Sequence, residues 1–344
     1  MGNRLVQRLL ERHIGMVDSP LLSRLPLRPA LKRWQVQTAT PAALAALDAA
    51  DRARSVILVQ DSFTRYFETE QLADFIELAA RLGLRVWLAP LHANGKPLQV
   101  QGFLSAFART ARRHTRRLRE LAAFGIPLVG LDPAMTLVFR QEYTKVEGIG
   151  EVPKVLLPQE WLLAVLDAEP PANNPRMKTA APDTPPDTTS PASTSTRPGQ
   201  RPAVMQTVLA STAVTSSNPQ PLPRQPAPLP LYRLLAHCTE KTSEPNSNAQ
   251  WVKVFERFGL KLQVQATGCC GMAGTYGHEA RNAGTSRVIY SQSWQAQVER
   301  PAAEAGEALA TGYSCRSQVK RMAHQTLRHP LQVLLERVRA QQGE

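Results

Sequence analysis

The stretch LKLQVQATGCCG, residues 260–271, joins a predicted β-strand to a pair of adjacent cysteines. Residues 260–265 are typical of a strand, and Cys269 and Cys270 follow its carboxyl end between Gly268 and Gly271. Glycines in these positions let the backbone turn sharply and come close to a bulky group. In an open α/β sheet, the carboxyl ends of the strands line the crevice in which ligands bind. The stretch therefore predicts an α/β domain with a site at the end of this strand.

The other two cysteines also follow predicted strands. Residues 231–236 are predicted to be a strand that ends just before Cys238, and residues 310–313 a short strand before Cys315. Helices are predicted at residues 249–258, over most of residues 293–308, and from Arg316 and Pro330 onwards. All four cysteines are therefore expected to meet at one edge of a mainly parallel sheet.

The first half of the chain is predicted to repeat this order of strands and helices without cysteines. Strands are predicted at residues 55–59, 84–88, 125–131 and 152–157, and helices at 70–82, at 98–124 and from Pro158. When the strand ends are aligned, Asp61 corresponds to Cys238, residues 90–97 to 268–271, and residues 132–135 to 314–315. This pattern predicts two duplicated α/β units.

The predicted domain organisation follows from these elements. Residues 1–50 are expected to form a helical N-terminal segment, residues 51–168 a degenerate first α/β repeat, and residues 231–344 the second repeat with the cysteine site. Between them, residues 169–230 hold 15 of the 28 prolines, among many Thr, Ser and Ala residues. A segment of this composition buries too little apolar surface to offset its ordering entropy, so we predict a disordered linker.

Composition narrows the class of protein. The chain is 43% hydrophobic and contains no run of 18 apolar residues, so no membrane span is predicted. Its N-terminus, MGNRLVQRLLERHIG, lacks the apolar core of a secretory signal, and we expect a cytoplasmic location. In that reducing compartment, a few grouped cysteines are more often metal ligands or catalytic groups than disulfides.

The formal net charge of +13 suits an anionic partner, but the basic residues are concentrated in one stretch only, residues 109–119. If this stretch is helical, its arginines are expected to form a solvated face. The alternative is that this arginine face docks to an acidic partner protein. Nucleic acid is not expected as a partner. The inward stripe of this helix is predicted to contain Phe103, Leu104, Phe107, Ala111, Leu118 and Leu121.

The cysteine pattern favours an iron–sulfur cluster over other thiol chemistry. Four thiolates suit either Zn²⁺ or the irons of a cluster. Structural zinc usually uses paired C-x-x-C knuckles, and this sequence has no such pair. A zinc-stabilised interaction module is the alternative, and a thiol redox catalyst that uses Cys269 and Cys270 is a further hypothesis.

Several neighbouring residues are candidates for a supporting role. His237 and His278 stand close in sequence to the cysteines, and each is a candidate to donate a hydrogen bond to a ligand, to replace a ligand, or to be an ordinary hydrogen-bonded imidazole. Gly268 and Gly271 are expected to shape the turn around the site. Residues 271–277 fit G-x-x-G-x-x-G but not the dinucleotide pattern G-x-G-x-x-G, so nucleotide binding is not predicted.

Three motifs in the second half carry a resemblance to a known family. HCTE (237–240), GCCGMAGTYGHE (268–279) and TGYSCRSQ (311–318) resemble the cysteine-rich "CCG" region of FAD-linked, iron–sulfur-containing D-2-hydroxyacid dehydrogenases of the D-2-hydroxyglutarate and D-lactate type. The iron–sulfur subunit of glycolate oxidase and the cysteine-rich subunit of heterodisulfide reductase look like more distant relatives. In the first half, QDSFTRYF (60–67), NGKP (94–97), QGFL (101–104) and LDPAM (131–135) look like the family's degenerate first repeat.

The resemblance implies an electron-transfer role. Cys238, Cys269, Cys270 and Cys315 would hold a 4Fe-4S cluster that relays electrons from FAD, with the flavin in a partner chain or another domain. A ferredoxin-like segment with C-x-x-C-x-x-C-x-x-x-C-P spacing is the second expected partner, and that spacing does not occur in this sequence. The chain is accordingly expected to be an oxidoreductase component that is inactive without a flavin-binding partner. One departure is Cys315, a single cysteine where heterodisulfide-type relatives have C-x-x-C.

Overall fold

The computed structural model describes residues 4–18, 20–168 and 230–343. Apart from Pro230, the predicted linker lies outside these residues. The described part is an α/β structure with two sheets, and every strand pairing within the sheets is parallel. The predicted α/β class with mainly parallel sheets is thereby confirmed. None of the helices in the described ranges is long and apolar enough to cross a membrane.

The first sheet has five strands in the order β1-β3-β2-β4-β5. These strands are β1 (Gln37–Thr38), β2 (Ser55–Leu58), β3 (Arg85–Leu88), β4 (Leu128–Val129) and β5 (Val155–Leu156). Helices precede, connect and follow them: α1 (Arg4–Ile14), α2 (Leu27–Arg33), α3 (Pro41–Ala45), α4 (Ala49–Ala53), α5 (Ser62–Tyr66), α6 (Thr69–Arg81), α7 (Lys96–Val100), α8 (Leu104–Ala122), α9 (Pro133–Thr136), α10 (Val138–Gln141) and α11 (Pro158–Ala168). β1 is a strand that the sequence did not predict.

The second sheet has three strands in the order β7-β6-β8. These are β6 (Leu231–Leu235), β7 (Lys261–Val264) and β8 (Glu307–Ala310). Its helices are α12 (Cys238–Ser243), α13 (Ser247–Arg257), α14 (Ala283–Glu299), α15 (Ala302–Ala305), α16 (Tyr313–Ala323) and α17 (Pro330–Gln341). The two sheets share one arrangement: β2 lies between β3 and β4 in the first, and β6 lies between β7 and β8 in the second.

One strand prediction for this half was wrong, because the strand expected at residues 310–313 lies at Glu307–Ala310. Residues 293–308 are mostly helical, as predicted, with the end of α14 followed by α15. Gly306, with a φ of 84°, ends the short helix α15 and allows the strand to start earlier. As a result, Cys315 lies in the first turn of α16 and not in a loop.

The inward stripe predicted for the basic helix was partly wrong. Phe107, Ala111, Leu118 and Leu121 are buried, but Phe103 and Leu104 are each 62% exposed. Gly102, with a φ of 80°, separates α7 from α8, so the helix starts at Leu104 and its first turn extends beyond the core. The arginines at 109, 112, 113, 116, 117 and 119 are exposed, as predicted.

The two halves share one hydrophobic core. α17 packs against α6 of the first half, and α11 packs against α13 of the second half. The cluster at this contact includes Phe75, Trp161, Trp251, Phe258 and Leu334, all of them buried. Ion pairs support it at the edge, where Arg339 donates to Glu77 at 2.7 Å. The carboxyl edges of the two sheets also meet, since Asp132 after β4 accepts the N–H of Tyr313 after β8 at 2.8 Å.

Candidate functional site

The strand ends bring the four cysteines to one edge of the second sheet. Cys238 begins α12 directly after β6, and Cys269 and Cys270 lie in the loop after β7. Cys315 lies in the first turn of α16, after β8. Because β6 is central and all three strands are parallel, these positions adjoin one another.

The four thiols form a continuous series of contacts. Cys238 and Cys270 each hydrogen bond to Cys269, and Cys270 also hydrogen bonds to Cys315. None of the four takes part in a disulfide. Cys270 and Cys315 are buried, whereas Cys238 and Cys269 are partly exposed. The series therefore runs from the protein interior to its surface.

These contacts favour a thiolate at Cys269. Hydrogen bonds from Cys238 and Cys270 lower the pKa of the Cys269 thiol, and the Gly271 N–H acts in the same direction. The Gly271 nitrogen lies 3.3 Å from the Cys269 sulfur. The same Cys269 contact, together with burial, raises the pKa of Cys238 and of Cys270. One sulfur of the series is thus the preferred anion, and its neighbours donate to it.

Gly271 is required by the shape of the cysteine loop. Its φ is +87°, and a Cβ atom there would lie 2.4 Å from the carbonyl oxygen of Ser286. The Ser286 hydroxyl donates to the Gly271 carbonyl at 2.8 Å, which fixes the loop on α14. The Gly268 N–H donates to Ser293 at 2.9 Å, and its carbonyl accepts from Trp294 at 3.1 Å. The two predicted glycines therefore anchor the loop at both ends.

His237 supports the site from β6. Its Nδ1 accepts the N–H of Thr239 at 3.2 Å as the cap of α12, so Nε2 carries the proton and donates to Ser314 at 3.2 Å. Burial lowers the pKa of His237 and keeps the imidazole neutral. Gly312 makes room for the ring, because a Cβ atom there would lie 2.3 Å from His237 Cδ2.

His278 lies elsewhere. Its Nδ1–H donates to the carbonyl of Val17 at 3.2 Å, and Nε2 lies 3.5 Å from the Ser317 hydroxyl. Burial lowers the pKa of His278, and its charged neighbours are Arg321 and Asp18. Its contacts within the described part of the chain thus join the N-terminal segment to α16 and include no cysteine.

Two buried carboxylates hold the site together, and the sequence analysis assigned neither of them. Glu240, fully buried in α12, accepts from Trp251 at 3.1 Å and from Gln159 of the first half at 3.2 Å. It also accepts from Thr311, whose hydroxyl in turn accepts the His237 N–H at 3.0 Å. Burial raises the pKa of Glu240. Glu240, two residues after Cys238, gave no sequence signal for this role, since charged residues are usually exposed.

Asp132 connects the halves at the same edge. One of its carboxylate oxygens accepts the Met135 N–H at 3.1 Å, as the cap of α9. The other accepts the Tyr313 N–H of α16 at 2.8 Å. The Asp-Pro sequence after β4 was the available signal, because it is typical of a helix N-terminus.

The first half has equivalent positions at its own strand ends. Leu58 of β2 pairs with Leu88 and Val129, just as Leu234 of β6 pairs with Val264 and Leu309. These paired residues align the two sheets, and each cysteine can be matched to the residue that lies the same number of positions after the corresponding strand residue of the first half. The matches to Cys238, Cys269, Cys270 and Cys315 are Ser62, Ala93, Asn94 and Met135. By this register, the helix cap Asp61 is equivalent to the helix cap His237, one residue away from the alignment predicted from the sequence.

The equivalent positions are also in contact. The Asn94 amide donates to the Met135 carbonyl at 3.0 Å and lies 3.8 Å from its sulfur, where the second half has Cys270 beside Cys315. Gly95 has a φ of +76° and corresponds to Gly271. The first half therefore has a comparable turn with a side-chain set that contains no thiol.

The donor set fits a thiophilic metal group, and its arrangement is not that of a single ion. Thiolates are the ligands of zinc and of iron–sulfur clusters, and four of them adjoin here. Within residues 4–18, 20–168 and 230–343, however, no group of three or more His, Cys, Asp or Glu side chains is placed so that it could hold one metal ion. The sulfurs follow one another in a row from the surface to the interior.

Comparisons with known proteins agree with the resemblance carried by the motifs. No protein-family profile matches the chain. The chain is 51% identical to D-2-hydroxyglutarate dehydrogenase of Pseudomonas putida, over 98% of its own length and 28% of that protein. Its identity to the D-2-hydroxyglutarate dehydrogenases of Escherichia coli and Pantoea ananatis is 38%, over 96% and 94% of the chain and 27% and 26% of those proteins.

The chain spans about a quarter of the length of these relatives. Within that span, the similarity includes both halves of the described structure, since the matches cover nearly the whole chain. Over almost its entire length, the chain is therefore similar to one region of the D-2-hydroxyglutarate dehydrogenases.

Proposed function

We propose that this chain is the iron–sulfur, CCG-type electron-transfer part of an FAD-linked D-2-hydroxyacid dehydrogenase of the D-2-hydroxyglutarate type. The observation that carries the proposal is the row of four adjoining thiols at the carboxyl edge of β6, β7 and β8. The names of the homologues support the substrate class.

Cys238, Cys269, Cys270 and Cys315 are the residues that would hold a 4Fe-4S cluster. When bound, such a cluster accepts and releases single electrons. The chain's own residues prepare the site: Cys269 is already favoured as a thiolate, and the Gly271 N–H donates to its sulfur. Hydrogen bonds to ligand sulfurs and the exclusion of water tune the potential of such a centre.

The thiols differ in burial, so the site has an inner side and an outer side. Cys270 and Cys315 close the inner side against water, while Cys238 and Cys269 reach the surface. The side of Cys238 and Cys269 is therefore the accessible one for an electron donor. We place the donor there, as reduced FAD or a ferredoxin-like iron–sulfur segment in another part of the protein or in a partner chain.

The two halves are proposed to be duplicated units, residues 51–168 and 231–344, after a helical N-terminal segment at 1–50. The matching ladder registers and the glycine turns support this. The starts of α11 and α17 support it as well, because both helices begin with proline. In each, the backbone N–H of the N-cap residue donates to the side chain three residues later: Leu157 to Glu160 at 2.7 Å, and His329 to Gln332 at 2.9 Å.

Anaerobic purification with metal and sulfide analysis tests the proposal. We expect iron with acid-labile sulfide, a broad visible absorbance that dithionite bleaches, and no flavin in the isolated chain. Replacement of the buried Cys270 by Ser should abolish the absorbance, and Asn94→Ser, at the equivalent position of the first half, is the matched control that should retain it.

The alternative, a zinc-stabilised interaction module, predicts a different result. One equivalent of zinc without sulfide, retained under anaerobic conditions, would overturn the iron–sulfur proposal and support that module. A metal-free protein with a rapidly alkylated Cys269 would instead point to thiol redox catalysis.

A further inference from the structure

The outer side of α8 is built from arginines. The helix has 19 residues, of which six are arginine, one is glutamate and none is lysine. A surface that serves only solubility usually mixes both signs of charge. Arginine is enriched in protein interfaces, because its planar guanidinium binds a carboxylate through two hydrogen bonds. The composition therefore favours a contact surface, the arginine face, which consists of the exposed residues Arg109, Arg112, Arg113, Arg116, Arg117 and Arg119.

The arginine face has no carboxylate partner within residues 4–18, 20–168 and 230–343. None of the ion pairs in these ranges involves α8. Arginines of other helices are paired, for example Arg140 with Glu244 at 2.8 Å and Arg321 with Asp18 at 2.7 Å. Like charges three or four residues apart on a helix repel one another. An anionic partner would remove that repulsion.

Two carboxylates lie along one edge of the arginine face. Arg112 donates to the backbone carbonyl of Glu147 at 2.8 Å, and Arg119 donates to that of Glu151 at 2.7 Å. These contacts hold both guanidiniums in place, so less conformational entropy is lost on binding. Glu147 and Glu151 are exposed, and their side chains form no ion pair with any described residue. The positive face therefore has a negative edge.

A cavity of about 520 Å³ lies on the other side of the arginine face. Arg113, Arg116 and Arg117 line it, together with Glu120. By helical spacing, Arg113 and Arg117 are on the side of α8 away from the negative edge. Apolar residues beyond the carboxyl ends of β1 and β3 complete the lining. Cavities beside arginines commonly receive an anchoring side chain of a partner protein.

The dimensions and charges of the arginine face limit the kind of partner. From Arg109 to Arg119 it extends about 15 Å along the helix axis, which is longer than a small anion. A second copy of this chain is not complementary, because the net charge is +13, and residues 169–229 hold five basic and three acidic side chains. DNA and anionic membranes present uniform negative charge, which would also face the negative edge. A protein segment can carry both signs of charge and match the face together with its edge.

We propose that the arginine face docks an acidic segment of another protein. Carboxylates of that segment pair with Arg109, Arg113 and Arg116, a basic group faces Glu147 and Glu151, and one side chain enters the cavity. This inference does not rest on the proposed electron-transfer function, since α8 contains no cysteine.

Fluorescence anisotropy with a labelled helical peptide of about 18 residues tests the surface. The peptide has a row of glutamates at i, i+4 spacing, a flanking row of lysines and a negative net charge. We expect saturable binding that weakens as salt is raised, because exposed ion pairs are screened. Arg113→Gln combined with Arg116→Gln keeps the helix propensity and should weaken binding about tenfold, since two exposed ion pairs are lost.

Lys253→Gln combined with Arg287→Gln is the matched control. Both residues are exposed, on α13 and α14 of the other half, and the change in net charge is the same. This variant should bind the peptide within about twofold of the parent chain. Thermal unfolding should show that every variant folds.

Glu147→Gln combined with Glu151→Gln tests the negative edge. It makes the chain more positive, yet it should weaken peptide binding about threefold, because the lysine row loses its partners. Tighter binding by this variant would show that net charge alone attracts the peptide and would overturn the proposal.

Three further results would refute the surface. They are the absence of saturable peptide binding, equal losses in the arginine variant and its matched control, and tighter binding of a short DNA duplex or of phosphatidylserine vesicles than of the peptide at equal ionic strength. The last result would assign the arginine face to nucleic acid or to a membrane surface.

Discussion

The strand ends of the two halves have similar backbones and different side chains. After β7, the loop holds Cys269 and Cys270 and turns at Gly271 with a φ of +87°. After β3, the equivalent loop holds Ala93 and Asn94 and turns at Gly95 with a φ of +76°. The same edge of an α/β sheet thus has a thiol site in one half and none in the other.

The difference shows what each half uses to hold its turn. In the first half, side-chain hydrogen bonds close it: Asn94 donates to Met135, and the Tyr143 hydroxyl donates to the Asn94 carbonyl at 2.8 Å. In the second half, α14 holds the loop through Ser286, Ser293 and Trp294. The Cys269 sulfur adds one contact within the turn, from the Gly271 N–H at 3.3 Å. Most of the hydrogen bonds that hold this turn therefore do not depend on the thiols.

The largest expected effect comes from Gly271→Ala. The left-handed conformation costs a non-glycine residue about 1–2 kcal/mol, and here the added Cβ would also lie 2.4 Å from a backbone oxygen. We expect a strongly lowered melting temperature and loss of bound iron. Gly95→Ala is the control: its Cβ would meet Phe107 and Thr110 side-chain atoms at 3.0 and 3.3 Å, which can move. Equal losses of melting temperature and bound iron in both variants would contradict the claim that the close approach of Gly271 to the Ser286 carbonyl requires a glycine.

The caps at the strand ends predict a pH dependence. Burial, and then the nearby Asp132, raises the pKa of Asp61 from 3.8 to about 7. The folded state therefore binds more protons than the unfolded state between these values, and its stability falls as the pH rises from about 4 to about 7, by up to about 1.4 kcal/mol per pH unit. Asp61→Asn keeps the cap and should flatten this part of the profile. Denaturant unfolding at a series of pH values measures it, and an unchanged slope in the variant would refute the assignment.

Asn94→Ala should have a moderate effect. It removes the hydrogen bond to the Met135 carbonyl, so the free energy of unfolding should fall by about 1–2 kcal/mol. Iron content should stay that of the parent chain, because Asn94 lies in the half without thiols. Loss of iron in this variant would show that the two strand ends do not act separately.

The smallest effect is expected for His237→Asn. The asparagine oxygen can still cap α12, while the contact from Nε2 to Ser314 is lost, which should cost about 1 kcal/mol or less. Iron should be retained, since the structure gives His237 a supporting role beside Cys269. If iron is lost and the chain stays folded, His237 is instead a ligand.

The sequence predicted β2, β3, β6 and β7 to within one residue at each end, but it placed β8 three residues too late. Residues 55–59, 84–88 and 231–236 differ from β2, β3 and β6 by one residue at an end. These strands are buried and end at clear turn residues, so both pattern and boundary were readable. The two-residue strand β1 was missed because so short an element has no periodicity.

The contacts between the halves could not be predicted from the chain alone. An apolar helix face shows that α11 and α17 are buried, but it does not show that each packs on the opposite half. The roles of Glu240 and Asp132 could not be predicted either, because a buried carboxylate is recognisable only once its donors are placed around it. The strand ends and cysteines were local features, whereas these supports depend on tertiary packing.

Iron and acid-labile sulfide analysis of the anaerobically purified chain tests the central claim most directly. The account predicts that iron and sulfide are bound together in the parent chain, are lost in Cys270→Ser, and are retained in Asn94→Ser. A parent chain that holds a single zinc without sulfide, or iron that remains when Cys270 is replaced, would contradict it.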